Sequence, residues 1–390
     1  MKGKEPKRKG WMGTLAALLG AGVFLFSYPT VGPLLEALLG RATLLSAAFA
    51  MPEGALETLR QRYSPELYED LPDDPPPQSA SQPASPPAES APSSQSGSAP
   101  PQSSQVELPP ETPAQLPEIP PQYQAPIISA NMTGERGSLA FYQYGAAWIR
   151  NYTNLSLGEI SRVLETPAGV SVEAGTQEPQ VLIYHTHTTE SYEEWDREIY
   201  DSRNDWRSLD NTINMAAVGE ELAKELEKRG ISVIHDTTQH DYPAYNGAYD
   251  RSAATIQGYL DQYPSIKVAI DVHRDAVLYD DGSILKVVQE VNGRKAAQLM
   301  IIAPCDDGTV GIPGWEENFR FAAGFTQAVE EQYPGLTRPV FFCYRNYNLG
   351  MTPDSLLFEF GTNGNTLEEA KYTARLIGPI LADYLLGEES

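Results

Sequence analysis

From about residue 127 onward, apolar positions follow two alternating patterns. Short apolar or aromatic runs at 146–152, 181–184, 231–234, 267–272, 339–344 and 355–360 have the length and bounds of buried strands. Between them lie stretches with helical spacing. In 208–229, Met215, Val218, Leu222 and Leu226 recur every turn, and Gly230 ends the pattern. Residues 248–260, 315–332 and 367–386 also read as helices. Asn292-Gly293, set between 285–291 and 297–303, is a strong turn signal and predicts a hairpin of those two runs. Strands alternating with helices predict an α/β fold: a mixed, mostly parallel sheet with helices on both faces. No internal repeat is visible.

The first 126 residues follow different rules. Lys2, Lys4, Lys7, Arg8 and Lys9 form a basic cap at 1–10, and 11–29 then runs without a charge. That is close to the roughly 20 residues that span a bilayer as a helix. Basic residues ahead of it predict a cytoplasmic N-terminus and an exported remainder. An uncleaved anchor is favoured over a signal peptide, because the triplet Ala48-Phe49-Ala50 lies well beyond the apolar core. Residues 30–70 begin with a second apolar stretch, interrupted by Glu36 and Arg41, and read as a membrane-proximal amphipathic segment. Residues 71–126 are rich in Pro, Ser and Gln, and 72–105 hold no Leu, Ile, Val or aromatic residue. Such a segment buries too little apolar surface to offset its ordering entropy, so a disordered linker is expected. The catalytic domain is expected at 127–390.

Charge and cysteine content narrow the function. A formal net charge of -24, with no basic stripe beyond the extreme N-terminus, excludes nucleic acid as a partner. The two cysteines, Cys305 and Cys343, fit no zinc-finger spacing, and a core of this size needs no disulfide.

Candidate chemistry gathers at three strand ends. VLIYHTHTTESY places His185 and His187 where the first strand should stop, with Glu190 three residues after the second. His273 follows an apolar run in DVHRDA. Glu359 sits inside SLLFEF, just before Gly361-Thr362-Asn363-Gly364. A charged residue within an apolar strand is costly unless it is paired or metal-bound. Two imidazoles and a carboxylate suit a catalytic zinc ion, and a further carboxylate suits a proton acceptor beside it.

At these residues the chain resembles a known family. YHTHTTESY, HDYPAYNGAYDRS, DVHRDA and LLFEFGTNGNT are similar, in order, to strings of stage II sporulation protein P, and the resemblance covers 145–386. It implies an amidase-like (phosphorylase/hydrolase-like) fold and a zinc-dependent N-acetylmuramoyl-L-alanine amidase. Peptidoglycan would be its substrate, with a second action on peptide cross-links. It further implies a role in septal wall thinning and engulfment during sporulation. Its expected partners are stage II sporulation protein D and a membrane protein. The expected location is the cell membrane, single-pass, with the catalytic part facing the intermembrane space of the sporangium.

Carried onto this sequence, the resemblance assigns Zn2+ to two histidines and a glutamate. His273 is one ligand. His187 with Glu190 is the preferred pair, since H-x-x-E at a turn lets both reach one ion, and His185 is then a residue that orients a ligand or the substrate. The alternative makes His185 the ligand. Asp210 is the fallback carboxylate, and Glu359 is the general base. Arg274 either holds a substrate carboxylate or pairs with Asp271 or Asp275. His235 and His240 read as structural or substrate-flanking. Tyr242, Tyr245, Tyr249, Tyr344 and Tyr347 read as lining a glycan groove or simply as amphipathic surface. Two other functions fit the same residues: a non-catalytic wall-binding scaffold and a zinc metallopeptidase acting on protein.

Overall fold

The computed structural model of the protein describes residues 116–387. The chain enters through a 3-10 turn (Pro121–Tyr123) and β1 (Gln124–Ala130). There follow β2 (Phe141–Tyr144), β3 (Ala147–Tyr152), α1 (Leu157–Val163), β4 (Val181–Tyr184) and β5 (Ile199–Asp201). Next come α2 (Met215–Lys228), β6 (Val233–His235), α3 (Ala248–Gln262), β7 (Val268–Asp275), β8 (Ile284–Val291) and β9 (Arg294–Ala297). The chain ends with β10 (Leu299–Pro304), α4 (Trp315–Gln332), β11 (Val340–Cys343), β12 (Asp354–Thr362) and α5 (Leu367–Leu386).

Eight strands form the main sheet in the order β2-β3-β11-β10-β12-β7-β4-β6, and four form a smaller one, β5-β1-β8-β9. Both sheets are mixed: five of the seven pairs in the main sheet are parallel, and one of the three in the smaller. The pairs β2-β3, β10-β12, β1-β5 and β8-β9 are antiparallel, and the others are parallel. Helices do cover both faces of the main sheet. Val181, Ile183, Val268, Ile270, Val272, Leu356 and Phe358 face one side, with Leu222 of α2, Phe325 of α4 and Ile377 of α5. Their neighbours Leu182, Tyr184 and Ala269 face the other side, against Ile256 of α3. This two-residue alternation is the geometry of any strand, and it sets where the polar residues go. From β4 the chain crosses to β6 on one side and later returns to β7 on the other, so the carboxyl end of β4 lies at a switch point, where open α/β sheets hold ligands.

Several expected boundaries move. The helix expected over 208–229 starts at Met215, because the Asn214 side chain accepts the Ala216 N–H at 3.0 Å and caps it there. The Asn292-Gly293 turn joins β8 to β9, not to 297–303, and the chain then steps into the main sheet as β10. The last stretch assigned to the linker, from Leu116, holds the 3-10 turn and the start of β1, which takes the centre of the smaller sheet between β5 and β8. The expected anchor, the amphipathic segment and the rest of the linker lie outside the described residues. Among the described residues no helix is long and apolar enough to cross a membrane. Both cysteines are buried free thiols.

The smaller sheet is tied to α5 by a buried cation. Lys286 of β8, 1% exposed, lies 2.6 Å from Glu369 and 2.7 Å from Asp196. Removing one partner of a buried pair strands the other charge in a poorly solvating site. Lys286→Met should cost about 3–5 kcal/mol. The expected readout is a lower denaturant midpoint at unchanged slope; an unchanged midpoint would refute this role.

Candidate metal centre

Two adjacent strands supply the floor of the site. On β7, Asp271 and His273 alternate with the core residues Ile270 and Val272, so they emerge on the α3 side of the sheet. Glu359 on β12 lies opposite His273 in parallel register and emerges on the same side. The third component is a turn. After β4 the chain closes on itself, the Glu190 N–H donating to the His187 carbonyl at 3.1 Å, and this brings both side chains over the floor.

His187, Glu190 and His273 each offer one donor atom, and those atoms all lie within 4.8 Å of one another in a buried cluster. Glu190 stands 3.6 Å from His187 Nδ1 and 3.7 Å from His273 Nδ1. Those separations are long for hydrogen bonds. They suit the edges of a tetrahedron: bonds of 2.0–2.2 Å to zinc would space the donors about 3.3–3.6 Å apart. The donor set therefore fits a zinc ion. His273 Nε2 lies 2.7 Å from Asp271 Oδ1, which fixes the ring with Nδ1 turned toward Glu190.

The site separates the charge states of its groups. Burial alone would lower the His273 pKa, but Asp271, Glu190 and Glu359 outweigh it and push it up to about 9. Burial, reinforced by His273, holds His187 well below the usual imidazole range. Burial pushes Glu359 up to about 8 against the opposing pull of His273, and among the described residues its buried Oε2 has no hydrogen-bond partner.

The family model for stage II sporulation protein P matches residues 88–382. The chain belongs to the stage II sporulation protein P family. It is 26% identical over 219 residues to stage II sporulation protein P of Bacillus subtilis (strain 168), covering 52% of this chain and 50% of that protein. The match thus spans half the length of that relative. Two solved structures are also similar. One is the catalytic domain of CD27L endolysin targeting Clostridia Difficile, at 13% identity and TM-score 0.33, covering 54% of this chain and 99% of that one. The other is the N-acetylmuramoyl-L-alanine amidase AmiC2 of Nostoc punctiforme, at 14% and 0.32, covering 54% and 99%. These likenesses are faint, and membership rests on the family match.

This stage II sporulation protein P relative keeps His185 away from the cluster. β4 stops at Tyr184, and His185 continues the parity of Val181 and Ile183, toward α2. Its Nδ1 meets the Val272 carbonyl at 2.8 Å and its Nε2 meets His235 Nε2 at 2.9 Å. Of the two histidines left open by the sequence, His187 is the one beside Glu190 and His273. His235 reaches on to Glu220 at 3.2 Å, and His240 binds the His185 carbonyl at 2.7 Å, so both are engaged in structure. Asp210 is exposed and caps Thr212, not the cluster.

Arg274 corrects another expectation. It is buried, with Nε donating to the Ser191 carbonyl at 2.8 Å and Nη2 to that of Trp206 at 3.0 Å. It braces the loop after Glu190 and has no free edge for a substrate carboxylate. Among the tyrosines, Tyr245 stacks on His187 at 4.5 Å and Tyr249 meets it edge-on at 5.4 Å, with Tyr347 stacked behind Tyr249 at 5.2 Å. Asp271 was missed as an orienting residue. The D-V-H spacing, two residues apart on a strand, carried that signal.

The place of His185 has a test. Gly219 of α2 faces it, and a Cβ there would come within 2.7 Å of both the His185 and His235 rings. Gly→Ala inside a helix ordinarily gains up to about 1 kcal/mol. Here we expect Gly219→Ala to lose about 1–3 kcal/mol from overpacking while zinc binding persists. A raised melting temperature would refute the contact.

Proposed function

We propose that this chain is a membrane-anchored, zinc-dependent N-acetylmuramoyl-L-alanine amidase that thins septal peptidoglycan during sporulation. The observation that carries the reading is the buried His187–Glu190–His273 cluster with Glu359 on the next strand, whose Oε2 has no hydrogen-bond partner among the described residues. His187, Glu190 and His273 would hold zinc. When bound, zinc supplies a Lewis acid that acidifies water and polarises the scissile carbonyl.

The protein's own residues do the rest. Asp271 keeps His273 oriented through the 2.7 Å contact. Glu359 would accept the proton of the attacking water and pass it to the leaving amine of alanine. A carboxyl pushed up to about 8 sits near neutrality, the range in which one group can both take and give a proton. Tyr245 and Tyr249 would wall the substrate beside His187. The uncharged run 11–29 would anchor the chain, and 71–115 would let the enzyme reach the wall. Family membership supports a place beside stage II sporulation protein D and a membrane partner.

Digestion of purified peptidoglycan with mass analysis of the products tests the activity. New alanine amines mark an amidase, released cross-link fragments mark an endopeptidase, and no products leave a wall-binding scaffold. His273→Ala and Glu359→Gln should each abolish hydrolysis, and His273→Ala alone should lower zinc content. Equal zinc loss in both variants would overturn Glu359 as the base.

A further inference from the structure

Arg207 stands at the open edge of the metal centre. It faces Glu190 across an antiparallel bridge, so the two side chains leave the backbone on one side. Nη1 is pinned, 2.8 Å from Asp241 Oδ2 and 3.1 Å from Thr189 Oγ1. The guanidinium lies over Tyr245 at 4.8 Å, and Tyr245 is the ring stacked on His187. The side chain is 36% exposed. Within the described residues no hydrogen bond engages Nε or Nη2. Those two nitrogens form one edge of the guanidinium fork, the edge that grips a carboxylate with two parallel bonds. The other arginines nearby are buried: Arg274 braces carbonyls, and Arg338 pairs with Asp275 at 2.7 Å.

We propose that Arg207 recognises a carboxylate on the peptide half of the substrate. The inference rests on the amidase reading of the centre. The leaving peptide begins with alanine, and its next residue is a D-glutamate joined through its side-chain carboxyl, so its α-carboxylate is free. Two residues of extended peptide reach roughly 7 Å beyond the scissile bond. Tyr245 links Arg207 to the ligand His187, its ring 4.5 Å from the imidazole and 4.8 Å from the guanidinium. Asp241 fixes the guanidinium in advance, so little side-chain freedom is lost on binding.

The test uses the full chain and two N-acetylmuramoyl peptides, identical except that the second residue carries a free α-carboxylate or its α-amide. A charge-assisted pair predicts a kcat/KM about 10- to 100-fold higher for the acid, expressed in KM. Arg207→Gln should bring the acid-to-amide ratio to about one. Arg207→Lys, which still pairs with Asp241 but lacks the fork, should keep zinc content and lose most of the preference. Equal cleavage of both peptides by the natural chain overturns the inference and leaves the amidase reading standing. So does a loss by Arg207→Gln that is equal on both peptides and accompanied by loss of zinc, since Arg207 would then only brace the Thr189–Glu190 turn. Cleavage of neither peptide overturns the amidase reading and this inference with it.

Discussion

The Asp271 carboxylate is the point where the end of β4, the strand β7 and the imidazole of His273 meet. It is fully buried, and it accepts the Thr186 N–H at 2.8 Å and the Thr186 hydroxyl at 2.7 Å while lying against His273. A buried carboxylate is tolerated only when its lone pairs are satisfied. Here each partner is also a part of the site. Thr186 starts the turn that presents His187 and Glu190, and His273 faces that turn from below. This group thus joins the turn to the floor through side chains, beside the Arg274 contacts that brace the same loop.

Around that point the protein holds a concentration of charge that water would normally be needed to support. Glu190, Asp241, Asp271, Asp275 and Glu359 are all buried, as are Arg274 and Arg338. Pairs of this kind seldom add stability over well-packed apolar residues, but breaking one is expensive. Their value is geometric. The Asp275–Arg338 pair and the Arg274 contacts lock strand ends and loop backbone, while Glu359 Oε2, at the centre of this frame, has no hydrogen-bond partner. Satisfied scaffolding around an unsatisfied centre is the arrangement that preorganised chemistry requires.

Much of the helix–strand order could be read in the sequence, because buried strands and amphipathic helices repeat with different periods. The spans 315–332 and 367–386 coincide with α4 and α5. His187, Glu190 and His273 were visible as polar residues where apolar runs give out. What resisted reading depended on three-dimensional detail. Whether His185 or His187 meets Glu190 turns on β4 ending at Tyr184: one residue keeps the strand's parity, and the other is swung round by a turn. The fate of Arg274 depended on carbonyls of Ser191 and Trp206, remote in sequence and without a side-chain signature. The smaller sheet went unread because β1 lies in Pro-rich sequence, and its pairing partners β5 and β8 are remote in the chain, so local preference gave way to tertiary pairing.

The seating of β1 has a mechanical side. Among the described residues β1 is the first strand, and it is flanked by β5 and β8 rather than lying at an edge. A pull directed along it loads its backbone rungs together instead of opening them one after another. The attachment therefore behaves as a lap joint, and tension arriving from the N-terminal side is met first in the smaller sheet.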